Sequence, residues 1–425
     1  MSIFQLKQVV IIILFFSLIS ITLLLFIAMV VHKDLLSPAV VINIPWLISL
    51  IFLIPSDFFY ETNSIHFLYF VIGIILFNIG YFFTVIGKKN KRLKENKWII
   101  KNINYKVINL IVIFELIILS IYLFTLLIYV NGNFNENIYF TLKMARGTSD
   151  LVLMNFMDYL NNFIISFTML ILYLYLQNRS KKNSILLTMQ LIIGTISVFL
   201  TLGRTAILLY CILIFVTFVI YSNFGNRKIL KYVTILGSLS IIFFSIYNLV
   251  KYPYLLESYS ALEISLEYFI LYISGSMVTI QQWMASNTEF LYGENTFRFI
   301  IAVLNTVGYD LNLQPLTNSF VSIGNKTTSN VYTFYHYYVV DFGWLYAFLA
   351  QFSVGLLHGF LYKKMTFKDP FWVFLFSLSL YPLFMQFFQD QYLSLTSTWV
   401  QFVFYGILLF KSNIFIRSRN SSAPN

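Results

Sequence analysis

Three arginines and one dense run of polar aromatic residues are the groups in this sequence best equipped for chemistry. Arg204 stands in Thr201-Leu202-Gly203-Arg204-Thr205-Ala206, between two short apolar segments. A guanidinium there clamps a phosphate or similar anion through its planar fork, or else snorkels with its stem along the helix and its head in water. Arg146, in Lys143-Met144-Ala145-Arg146-Gly147, and Arg298, in Glu294-Asn295-Thr296-Phe297-Arg298, are the only arginines of their loops. Three separated arginines suit a substrate that carries two phosphates. The plainer alternative for Arg146 and Arg298 is an ion pair with Asp150 or Glu294, worth about 0–1 kcal/mol when exposed.

The aromatic run is Asn330-Val331-Tyr332-Thr333-Phe334-Tyr335-His336-Tyr337-Tyr338-Val339-Val340-Asp341-Phe342-Gly343. Tyrosines favour a membrane interface and also stack on sugars, so the rings alone decide nothing. Asp341 is more informative, because a carboxylate just inside an apolar span is costly unless it is paired or functional. His336 suits a general base for a hydroxyl, with an ordinary pKa near 6.5. Alternatively Asp341 caps the structure or pairs with an arginine, and His336 sits in the headgroup layer. Glu115 and Asp158 are further carboxylates inside apolar segments. Glu115 is expected to make a structural hydrogen bond, and Asp158 is balanced between structure and function.

Other chemistry finds no support. There is no Walker loop, no dinucleotide fingerprint, no Gly-x-Ser-x-Gly elbow and no His/Cys metal cluster. His32, His66, His336 and His358 are scattered, so no metal site and no cofactor are expected, although a pyrophosphate substrate can bring its own divalent ion. The single cysteine, Cys211, lies in an apolar run and cannot form an intramolecular disulfide.

The elements that must position these groups follow from composition. Of 425 residues 59% are apolar and 11% charged, against about 45–50% and about 25% in soluble domains. Apolar runs fall near residues 9–31, 39–55, 65–86, 106–130, 151–177, 184–202, 205–221, 229–250, 337–362, 371–389 and 392–410. Each is read as a helix crossing a hydrocarbon core about 30 Å thick, which predicts an all-α polytopic membrane protein of about eleven spans, residues 1–425 forming a single transmembrane domain. Its net charge of +11 is then a topology signal rather than a mark of nucleic-acid binding. Lysines and arginines collect in cytoplasmic loops, and the run from Lys88 to Lys106 anchors the assignment. Lys33, the 179–182 and 227–231 loops, the 363–368 loop and the tail then fall on the same side. The N-terminus is outside, or inside if residues 39–55, interrupted by Pro45, only re-enter. A short loop, 131–150, and a long one, 251–336, face outward, and long ordered loops carry function. Within the long loop, 262–284 reads as an amphipathic helix on the outer interface.

With Gly203-Arg204-Thr205 between two short spans, and Asn330-Val331-Tyr332-Thr333 followed by Tyr337 and Asp341-Phe342-Gly343, the chain resembles the Wzy-type polymerases of bacterial surface polysaccharides. The resemblance extends to the layout of ten or more helices, one shorter and one longer outer loop, and an early basic cytoplasmic hairpin. It implies a GT-C-like glycosyltransferase of the bacterial inner membrane, working at the periplasmic face. Undecaprenyl-pyrophosphate-linked repeat units would be joined there, the growing chain passing from its lipid carrier to a sugar hydroxyl of the next unit. It further implies membrane lipid, a chain-length regulator and a flippase as partners. Arg204 is carried over as a pyrophosphate contact, and Asn330, Tyr332, Thr333 and Asp341 as the site motif. Arg146 and Arg298 are assigned from position only. The base is open between Asp341 and His336, with His336 preferred on its pKa. A lipid-linked-sugar exporter and a ligase acting on finished polymer are the competing functions.

Overall fold

A computed structural model describes residues 3–54, 65–85, 104–132, 152–201, 203–251, 259–286, 289–315, 317–324 and 327–412, with 59, 100–101, 256 and 417–418 besides. The helices are α1 (Ile3–His32), α2 (Pro38–Leu53), α3 (Ile65–Val85), α4 (Tyr105–Gly132), α5 (Val152–Gln177), α6 (Lys181–Leu200), α7 (Arg204–Ser222), α8 (Asn226–Lys251), α9 (Ala261–Ser286), α10 (Arg298–Thr306), α11 (Tyr335–Phe342), α12 (Trp344–Met365), α13 (Pro370–Phe384) and α14 (Thr396–Phe410). Among the described residues sheet is confined to two antiparallel pairs, Ile100–Lys101 with Arg417–Ser418, and Val321–Gly324 with Thr327–Ser329. Among the described residues eleven helices are long and apolar enough to cross a membrane. The set differs from the sequence expectation: α9 qualifies, and α2, at 16 residues, is shorter than the rest.

The chain packs as two units. The first holds residues 1–89, 225–363 and 382–396; the second holds 90–224, 364–381 and 397–425.

In the first unit, His32 at the end of α1 stacks on Phe82 with centroids 5.3 Å apart and meets Tyr362 edge-on. Tyr362 donates to Asp34 Oδ2 at 2.8 Å, and Asn226 Nδ2 donates to the Lys33 carbonyl at 2.8 Å. The last turns of α1, α3 and α12 and the first of α8 therefore gather at one end, with Lys33, Arg227, Lys228 and Lys363 in their sequence neighbourhood. Because α1 and α3 both finish at this basic end, α2 must carry the chain back across. Its length of about 24 Å is short for a span.

The partners of α9 give it a different path. Phe269 meets Phe52 at 5.1 Å, Tyr272 meets Phe244 at 4.9 Å, and Trp283 meets His336 at 5.2 Å. Across α2 and α9 the Ser49 hydroxyl donates to the Ile273 carbonyl and the Ser274 hydroxyl to the Ser49 carbonyl, each at 2.8 Å. All of these partners belong to the end away from the basic residues, while residues 269–283 alone cover about 21 Å. Length and composition qualify α9 as a span, where residues 262–284 were expected to lie on the outer interface, and its contacts gather at the far end.

One seam in this unit is set by glycine. A Cβ on Gly80 would run into the Phe352 carbonyl oxygen, and one on Gly355 into that of Phe77. The backbones of α3 and α12 touch there, as small residues permit between membrane helices.

In the second unit, Tyr105 donates to Asn183 Oδ1 at 2.9 Å and Lys182 sits 3.7 Å from the centroid of the Tyr105 ring. Lys411 pairs with Asp369 at 2.8 Å, and Lys368 bonds Asn223 Oδ1 at 2.6 Å. Since α6 and α7 are successive antiparallel helices, these groups share one end, again the basic one. In the middle, Gln190 Nε2 donates to Glu115 Oε2 at 2.7 Å and both side chains are fully buried, the structural bond expected of Glu115. Removing one partner leaves a buried polar group unmet. Gln190→Leu is expected to lower stability by about 1–3 kcal/mol, and Glu115→Leu on top of it to recover part of the loss, both read by thermal unfolding in detergent.

Candidate functional site

The last two spans do not meet in a plain turn. Pro382 withholds a backbone donor near the end of α13, and the helix gives way to two short 3-10 turns, Met385–Phe387 and Leu393–Leu395. Buried backbone outside a helix must find partners inside the protein. Here the Phe334 N–H donates to the Gln386 carbonyl at 2.8 Å, and the Ser276 hydroxyl to the Phe387 carbonyl. Gln351 Nε2 donates to Gln386 Oε1 at 2.7 Å, and the Tyr392 hydroxyl is 2.8 Å from His358 Nε2.

Asp390 is the charge in this break, and it is buried. Tyr338 donates its hydroxyl proton to Oδ1 at 3.2 Å, as does the Tyr392 N–H at 3.2 Å, while the Ser394 N–H reaches Oδ2 at 2.9 Å. Burial pushes the Asp390 carboxyl above the usual carboxylate range, against the pull of these donors. The Tyr337 hydroxyl pKa is raised by burial first and by the Asp390 charge second, and lowered by Asn318 and then by the Arg298 charge. Asn318 and Gln389 stand beside the same hydroxyl. A cation on α10 and a carboxylate in the helix break thus act on one hydroxyl of α11.

Arg298 is held by its Nε, which donates to the Gln314 carbonyl at 2.7 Å. It does not pair with Glu294, whose carboxylate instead accepts from Asn312 Nδ2 at 2.7 Å and from Gln314 Nε2. The Nη atoms of Arg298 make no hydrogen bond among the described residues.

Asp341 works on the loop leading to Arg298. Its Oδ1 accepts from Asn295 Nδ2 at 3.0 Å and from the Asn295 N–H at 3.3 Å, and its Oδ2 accepts from the Thr296 N–H at 2.6 Å. The Tyr292 N–H adds a bond to the Asp341 carbonyl at 3.2 Å, and Gly343, at φ +81°, closes α11 in the left-handed region. The carboxyl is fully buried and occupied by these donors, so it positions the turn before α10. These contacts are those of the capping alternative.

His336 departs from expectation. Its ring stacks on Tyr332 with centroids 3.9 Å apart, meets Trp283 edge-on, and has no hydrogen-bond partner for either nitrogen among the described residues. Burial drives its pKa from 6.5 down to about 3, which removes the ground for choosing it as the base. The neutral ring is the form the fold keeps. Stability contributed this way is complete above the unfolded pKa of 6.5 and is lost as pH falls toward 3, by about 2 kcal/mol at pH 5. Unfolding midpoints measured between pH 7 and pH 5 are expected to drop for the wild type and to drop less in His336→Phe.

The remaining motif residues are structural in their visible contacts. Tyr332 donates to the Ser319 carbonyl at 3.0 Å, Thr333 is buried with its carbonyl accepting from the His336 N–H at 3.1 Å, and Asn330 is partly exposed. Together they strap the chain between the Val321–Ser329 hairpin and α11.

Arg204 belongs to the second unit, in the first turn of α7, behind Gly203 at the cap. Thr201 Oγ1 accepts from the Gly203 N–H at 3.2 Å and donates to the Val198 carbonyl at 2.7 Å. A shallow crevice at this junction is lined by Tyr122, Met157, Asp158, Asn161, Ser197, Leu200 and Thr201, and the positive end of α7 favours an anion. Arg146, with the loop from residue 133 to 151, lies outside the described residues. Among the described residues no three His, Cys, Asp or Glu side chains gather as metal ligands do.

Sequence reasoning passed over Asp390. Its signal was present: an acid between Gln389 and Gln391, in the two-residue gap between the last two apolar runs. Compared with known proteins, the chain matches no family model, no curated protein and no solved structure.

Proposed function

We propose that the protein joins lipid-pyrophosphate-linked oligosaccharide units at the periplasmic face of a bacterial inner membrane. The observation that carries the reading is the buried carboxylate of Asp390 in the break before α14, which accepts from the Tyr338 hydroxyl and lies in the same packing unit as Arg298. Glycosyl transfer from a lipid diphosphate needs two things: a cation for the departing diphosphate, whose charge grows in the transition state, and a base for the acceptor hydroxyl. Arg298 supplies the first with its unengaged Nη atoms. Asp390 supplies the second, because burial strengthens it as a base, and the acceptor hydroxyl takes the place of the Tyr338 hydroxyl at Oδ1. Its oxygen attacks the anomeric carbon, the bond from that carbon to the diphosphate breaks, and the proton goes to Asp390. Asp341 fixes the turn that presents Arg298. The energy resides in the lipid diphosphate bond, so no nucleotide is required, and the membrane holds the polyprenyl tail. The resemblance adds Arg204 as a further phosphate contact.

The test is reconstitution of the purified protein in vesicles with synthetic undecaprenyl-pyrophosphate-linked units. A ladder of longer products is expected; units that cross the bilayer unjoined replace the polymerase reading with an exporter. In the same assay Arg204→Lys is expected to shorten the ladder, because lysine keeps the charge and loses the fork. Wild-type product lengths would remove Arg204 from the site.

A further inference from the structure

We propose that α10 is a membrane-docking helix, seated in the interfacial layer at the end away from the basic residues with its apolar face in the acyl chains. The helix is turned the wrong way for water. Phe297, Ile300, Val303 and Val307 follow one another at helical spacing and are 44%, 53%, 48% and 72% exposed. Arg298 and Asn305 turn to the rest of the protein instead: Arg298 bonds the Gln314 carbonyl, and Asn305 exchanges bonds with Leu311, Nδ2 to carbonyl at 2.9 Å and N–H to Oδ1 at 3.0 Å. A surface helix in water shows the opposite arrangement. The outward row continues past the helix in the exposed Tyr309, Leu311 and Leu313.

The occupant of this face is lipid, because the face runs into one that lipid already covers. Phe297 meets Phe342 edge-on, and a Cβ on Gly343 would touch Phe290. Phe342 leads directly into α12, a candidate span whose Leu345 and Leu349 are exposed. An amphipathic helix on such a border lies in the plane of the interface, its apolar side about 5–10 Å into the headgroup boundary. Docking of this kind is independent of the chemistry proposed above: an exporter with this structure seats α10 in the same layer.

The experiment uses the full chain in lipid nanodiscs. Cys211, an exposed thiol, is first replaced by Ser, and single nitroxide labels are then placed at Ile300, Val303, Val307 and Asn305. Labels at the first three are expected to collide with oxygen several-fold more than with a soluble nickel chelate, and the label at Asn305 to show no such preference. Equal exposure of all four to the chelate would place α10 in water and overturn the proposal. Shielding of the three apolar sites from both reagents, with spin–spin broadening, would put a second copy there and overturn it too. As a check free of the nitroxide, a bimane at Val307 is expected to be quenched by lipids brominated near the headgroup end of their chains; undiminished emission counts against docking.

Discussion

Asp390→Asn is expected to leave the protein inserted and folded and to lower the polymerising rate about 100- to 10,000-fold, the range a positioned general base contributes. Asparagine keeps an oxygen for the Tyr338 hydroxyl and fills the same space, so the break between α13 and α14 persists. It cannot take a proton. The loss should therefore appear in kcat with KM little changed, since the acceptor still fits. The wild-type pH profile carries the same information. A base must be deprotonated to act, and burial raises this carboxyl, so the acid limb of kcat is expected above the ordinary carboxylate value near 3.9. Single-turnover rates on synthetic lipid-linked units decide the matter: undiminished kcat in the Asp390→Asn variant leaves the reaction without its base.

The second large effect is expected at Arg298. Removing one preorganised donor aimed at developing charge costs about 100- to 1,000-fold in rate, and Arg298→Ala should fall in that range. Arg298→Lys is the more telling change. Lysine retains the charge but cannot bond the Gln314 carbonyl through Nε and present two Nη groups at once. It is expected to recover only a small part of the loss, with KM for the lipid-linked donor raised as well. A lysine variant at wild-type rate would show that only net charge matters there, and the directed fork would be dropped from the mechanism.

The spans were legible because an apolar run of 18 or more residues has one stable answer in a bilayer. Periodicity could not rank α2 against α9: one is short and buried, the other long and more polar, and contacts far along the chain set their paths. Arg298 was legible as an isolated cation in an outer loop. The work done by Asp341 was not, since its partners Asn295 and Thr296 stand 46 and 45 residues earlier. The basicity of His336 was misjudged for the same reason, because the Trp283 ring that helps to bury it arrives from α9. Asp390 was hidden by the reading of 371–389 and 392–410 as two unbroken helices; Pro382 and the neighbouring glutamines mark where that regularity fails.

The contact of α3 with α12 at Gly80 and Gly355 bears on which parts of the first unit can move against one another. Main chain rests on main chain there, with no side chain whose rotamer could change to let one helix slide along the other. Those two helices travel together as a fixed rail. Relative motion within the first unit then falls to the polar-jointed segment that Asp341 fastens at Asn295 and Thr296.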